Sequence, residues 1–251
     1  DITAKTITSG DILVGVLTAL DDTVTLTAAG AINDDAADTT LDINVGAGII
    51  DLNAGSGIGN TADLELTGST ISADSTSDKI DLNSFATATT GAVTVTSLST
   101  DSANISFDQT GAEELTVNSA TITTGAGAIS ITNDKTTTID LATTTDGDIS
   151  VSADSGDLTL TSLTAGGAGN ISGTTTTSGD IFVGVLTAAA SKVTLTSVGA
   201  INDDAADTTT DIAVSTGTIT LVAASGIGNS QALELAGQRD RKSTRLNSSH
   251  V

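Results

Sequence analysis

Apolar–polar–apolar triplets recur along the chain, as in Val24-Thr-Leu26, Ile43-Asn-Val45, Leu64-Glu-Leu66, Ile80-Asp-Leu82 and Val93-Thr-Val95, and with single-residue beats such as Ile32, Ile58 and Ile71 counted the spacing averages about nine residues. Period-2 alternation puts Ile, Val and Leu on one side of a strand and Thr, Ser, Asp or Asn on the other. No stretch carries the i, i+3, i+4, i+7 spacing of an amphipathic helix, so the chain reads as all-β. Many strands are entered through glycine: Gly10, Gly91, Gly127, Gly147, Gly156, Gly179 and Gly217. Glycine at such corners is expected to supply positive φ.

A longer repeat overlies this beat. Thr8–Ile12 returns as Thr177–Ile181, Gly30–Thr40 as Gly199–Thr209, Ser56–Asn60 as Ser225–Asn229 and Leu64–Leu66 as Leu233–Leu235, always 169 positions on and without a gap. Residues 1–169 therefore form one repeat unit and 170–238 the start of a second. The chain reads as an internal piece of a longer array.

Two architectures accommodate short strands on this beat, a parallel β-helix (β-solenoid) and tandem β-sandwiches. Sandwich cores are commonly anchored by aromatic residues, and this chain has only three Phe and no Trp or Tyr. It also has no proline, which would delete a ladder donor at each rung. The solenoid is the expected fold. Two or three strands per coil give about 20 to 30 residues per coil, or six to eight coils per unit.

The last residues stand apart. Four of the eight basic residues are Arg239, Arg241, Lys242 and Arg245, and the one histidine is His250. Residues 239–251 resemble the in-frame translation of a sequencing adapter, so they are set aside from fold reasoning. With 8 Lys+Arg against 31 Asp+Glu, the formal net charge of −23 disfavours nucleic acid as a partner. No cysteine is present for disulfides, thiol chemistry or a zinc ribbon. The longest apolar stretches, such as Ile12–Leu17, are too short to insert in a membrane as a helix.

The phrases Gly10-Asp-Ile-Leu-Val14, Gly147-Asp-Ile-Ser-Val151, Gly179-Asp-Ile-Phe-Val183 and Leu26-Thr-Ala-Ala-Gly-Ala-Ile32 resemble the shaft repeats of large bacterial exoproteins related to filamentous haemagglutinin. The resemblance spans residues 1–238. It implies a right-handed parallel β-helix, export to the bacterial cell surface, and a role as the stalk of an adhesin. Its partner would be a host or neighbouring-cell surface, reached through regions outside this sequence. The resemblance carries over no functional residue.

Chemistry-bearing positions are sparse. Asp34, Asp35 and Asp38, repeated as Asp203, Asp204 and Asp207, are the best candidates for a calcium loop, since clustered carboxylates supply several oxygens. The loop lacks Asp-x-Asp-x-Asp-Gly spacing, so the expectation is a solvated acidic turn, with no cofactor or metal and calcium as the alternative. The adjacent pair Glu113-Glu114 reads as a turn between strands, not a glycosidase dyad. Gly-x-Gly clusters at Gly46–Gly48, Gly57–Gly59 and Gly125–Gly127 never complete a phosphate-binding fingerprint. Threonine runs at 136–138, 143–145 and 174–177 suggest a water-ordering face only if they stack at constant rung length, and their intervals vary. No catalytic residue is expected, and the binding residues stay open. The expected function is a non-catalytic stalk segment. The alternatives are calcium-stiffened sandwich repeats or the scaffold of a polysaccharide-active exoprotein.

Overall fold

The computed structural model describes residues 1–237, so the set-apart tail 239–251 lies outside the described residues. Those residues contain strands and no helix, and every strand pairing is parallel. Successive strands alternate between two faces. Ile149–Ser155 lies on one, Leu158–Ala165 on the other, then Ile171–Ser178 and Ile181–Ala188 repeat the alternation. One face is a single sheet whose main path runs through eleven strands. The chain is thus a flattened β-solenoid of about eleven coils. Tandem sandwiches, the other architecture, are built from antiparallel sheets and do not match these ladders.

The register shows why the triplets recur. On one face Ile12, Ile32, Ile58, Ile80, Ile105, Ile129, Ile149, Ile171, Val193 and Ile219 stack in a single row, one per coil. On the other, Ile2, Val24, Ile50, Ile71, Val95, Val117, Ile139, Leu160 and Val183 do the same. The two rows meet in one contiguous aliphatic interior, whose only fully buried aromatic is Phe107. The stacked aliphatic rows fill this interior, which matches the aromatic-poor composition.

Steps along the Ile12 row vary from 20 to 26 residues. From Ile12 to Ile171 there are seven coils, and Ile181 then opens the next strand on the opposite face. The 169-residue repeat therefore spans seven and a half coils. Ile12 pairs with Ile32 and Ile181 pairs with Ile201, the same register on opposite sheets. Alternation survives this exchange because both faces make the same demand, apolar inward and polar outward. The boundary at 169/170 interrupts no ladder: Ile149 donates its N–H to Asn170 O across it.

The glycine corners serve two purposes. Gly10, Gly91, Gly156 and Gly179 adopt positive φ, as expected. Gly127, Gly147 and Gly217 do not; a Cβ on Gly147 would lie 1.7 Å from Gly127 O, and one on Gly217 would lie 1.5 Å from Ser191 O. At these corners glycine is needed because adjacent coils approach too closely for any side chain. Gly147→Ala should therefore cost about 3 kcal/mol, since the coils must part. Gly91→Ala, with open space around it, should cost about 1 kcal/mol, from its φ of +65° alone. Denaturant midpoints of the two variants check this, and equal losses would contradict the close-approach role.

Candidate functional site

The coils are not uniform. Leu17, Ile43, Leu66 and Ser84 form a second inward column on the face carrying the Ile12 row. Five positions separate Ile12 from Leu17 and four separate Ile80 from Ser84, but eleven separate Ile32 from Ile43 and eight separate Ile58 from Leu66. The surplus residues leave the face as two stacked bulges. Asp34 closes the strand Ile32–Asp34, directly below Val14 in the ladder; Asp42 immediately precedes the strand Ile43–Asn44; and Glu65 lies one coil further on in Leu64–Thr67.

The bulge brings these three carboxylates together, each offering an oxygen within 4.8 Å of the others. All are buried, Asp34 at 6%, Asp42 at 1% and Glu65 at 2% exposure. Asp34 Oδ1 accepts from Ala36 N–H at 3.2 Å, Asp42 Oδ2 from Glu65 N–H at 2.9 Å, and Glu65 Oε1 from Asn83 Nδ2 at 3.3 Å. Asp34 Oδ2 and Glu65 Oε2 are buried with no hydrogen-bond partner. Among the described residues the ion pairs are the Asp1 amino group with Asp22 and Lys79 with Asp81, so no basic side chain compensates the cluster. Burial, added to the charges of Asp34 and Glu65, pushes the Asp42 carboxyl up to about 7; burial also raises Glu65.

The same constellation returns 169 residues on. Asp203, Asp211 and Glu234 converge within 4.8 Å. Asp203 Oδ1 accepts from Ala205 N–H at 3.1 Å and Asp211 Oδ2 from Glu234 N–H at 2.7 Å, while Glu234 Oε2 is left without a partner. Burial pushes Asp211 up to about 6. Because the unit spans a half-integral number of coils, this second triad sits on the opposite sheet from the first.

Of the loop acids singled out from sequence, Asp34 and Asp203 belong to these triads. Asp35 and Asp38, with Asp204 and Asp207, are exposed. Asp38 is a turn-former: its Oδ1 accepts from both N–H and Oγ1 of Thr40 at 2.6 Å, which holds its carboxyl below the usual range, and Asp207 does the same with Thr209. Asp42 and Glu65 were not among the sequence candidates, because a partner one coil away falls outside any local motif. One signal was available. Asp42 and Glu65 are kept as Asp211 and Glu234, while their neighbours Leu41, Asn44, Asp63 and Thr67 become Thr210, Ala213, Ala232 and Ala236.

Glu113 and Glu114 occupy the turn between Ile105–Gly111 and Leu115–Val117. Thr137 and Thr175 are buried, so the threonine runs 136–138 and 174–177 do not lie wholly on an outer face. A shallow hollow of about 430 Å³ is lined by Asn53, Asp74, Ser99 and Asp101 among others; the Ser97 hydroxyl donates to Asp74 Oδ1 at 3.4 Å, and burial pushes the Asp74 carboxyl up. The chain matches no family model, no curated protein and no solved structure.

Proposed function

We propose that this chain is a non-catalytic stalk segment of a long, secreted bacterial surface adhesin, whose function is to set distance. The observation that carries this reading is the continuity of both ladders through the repeat boundary. Successive units share one interior and one pair of sheets, so added units lengthen a rod and create no separate domains. Half-buried aliphatics at either end, Ile2, Ile12 and Leu17 at one and Ile219, Leu221 and Leu233 at the other, form interior edges able to receive a further coil. The acidic surface favours a soluble rod that resists lateral association.

Length is the direct readout. At about 4.8 Å per coil, each 169-residue unit should add about 36 Å. Electron micrographs of chains with one, two and three tandem units should show particles lengthening by that increment at constant width. Beads joined by linkers, or a length that does not grow, would contradict the stalk. Placement at a cell surface is tested separately, by protease shaving and antibody labelling of intact source cells.

A further inference from the structure

We propose that Asp34, Asp42 and Glu65, and again Asp203, Asp211 and Glu234, each bind a hard divalent cation, calcium in particular, which ties the base of a bulged loop to the following coil. The assignment does not depend on the stalk reading.

Three observations carry it. First, the triad combines proximity with burial: three carboxylates converge within 4.8 Å without a basic partner. Grouping buried like charges in this way is costly unless a counter-charge joins them. Second, Asp34 Oδ2 and Glu65 Oε2 belong to side chains more than nine-tenths buried, yet they accept no hydrogen bond, although one oxygen of each carboxylate in the triad is engaged by a backbone or amide donor. Buried acceptors without donors are the atoms a metal ion would satisfy. Third, the second copy keeps all three carboxylates and two of the same backbone donors, despite substitutions on either side.

Donor chemistry narrows the ion. Every ligand is a carboxylate oxygen, which suits calcium or magnesium over zinc or copper. Calcium–oxygen bonds of about 2.4 Å span oxygens up to about 4.8 Å apart, whereas magnesium requires a tighter octahedron with bonds of about 2.0–2.1 Å. The connectivity states the purpose. Asp34 and Asp42 stand at the two ends of the loop 35–41 and Glu65 on the next coil, so one ion closes the loop and staples two coils. The half-coil offset then places successive ions on opposite faces of the rod.

The test is equilibrium dialysis of the full chain against calcium chloride at pH 7.5 in 0.15 M NaCl, with bound metal counted by elemental analysis. Two calcium ions per chain are expected at sub-millimolar free calcium. D42N/E65Q should retain one, and D42N/E65Q/D211N/E234Q none. D35N/D38N, which alters only exposed loop acids, should keep two. Circular dichroism in EDTA verifies that each variant folds. If the multiple variants do not fold, E65Q alone, whose amide oxygen still accepts from Asn83, should lose one ion. Fewer than one ion bound at 1 mM free calcium, or a count unchanged by these substitutions, overturns the proposal. So does an identical melting temperature in EDTA and in calcium, which would leave a shared proton as the occupant.

Discussion

Ile129→Asp should collapse the middle of the solenoid, whereas Ser130→Asp, one residue on, should be nearly silent. Ile129 is buried between Ile105 and Ile149 of the same row, within the aliphatic interior. An isolated charge there has neither water nor a partner, and the neighbouring coils cannot move aside because both ladders fix their spacing. The expected loss is about 4 kcal/mol or more. Ser130 is exposed, stacked between Ser106 and Ser150 on the outer side, and its replacement should change stability by about 0.5 kcal/mol at most. Urea unfolding followed by circular dichroism measures both. Comparable losses would mean that the inward and outward assignments of this strand are wrong. Asp34 and its counterpart Asp203 are tolerated because a loop leaves the ladder beside each and two other acids share each site.

The second large effect is a dependence of stability on pH that runs opposite to ordinary acid denaturation. In protein held metal-free by chelator, Asp42 titrates at about 7 and Asp211 at about 6, both far above the usual 3.8. Asp42 faces Asp34 on its own bulge and Glu65 on the next coil, with Asp63 acting on Glu65; Asp211 faces Asp203 and Glu234. Each group thus holds a proton in the folded chain over a range where the unfolded chain has released it. Between pH 4 and pH 7 the native state binds more protons, and stability must fall as pH rises. Melting temperatures in EDTA should decline across that window. In D42N/D211N the decline should be markedly shallower, since an amide keeps the hydrogen-bonding shape without ionising. General repulsion among surface carboxylates also grows with pH, so the difference between wild type and variant isolates the triads. Parallel curves for the two proteins would show that these aspartates are not held protonated.

The fold was largely legible because a solenoid repeats one local decision. Each Val-Thr-Leu or Ile-Ser-Val triplet states its own inside and outside, glycine marks the corners, and the lack of proline keeps the ladders open. What stayed hidden depends on sums over many residues. Coil lengths of 20 to 26 have no fixed period, so nothing local reveals that Ile12 and Ile181 belong to opposite sheets. Thr137 misleads in the same way: it occupies an inward position between Leu115 and Leu158 but looks like another outward threonine. Glycines such as Gly147 suggested a turn when the reason was the coil above. The triads combine these difficulties. Asp34 was visible within an acidic loop, but its partners Asp42 and Glu65 are joined to it only by a bulge and a one-coil step.

The account's central claim is the in-register parallel stack, and engineered disulfides test it most directly because the chain has no cysteine of its own. Ser130 and Ser150 are ladder partners on the outer side, about 4.8 Å apart between neighbouring strands, within the range a disulfide spans. S130C/S150C should close to near completion under mild oxidation, read by thiol labelling and mass spectrometry. S130C/S152C, two residues out of register, should remain largely reduced. Failure of the first pair to close, or equal closure of both, would contradict the parallel solenoid and everything placed upon it.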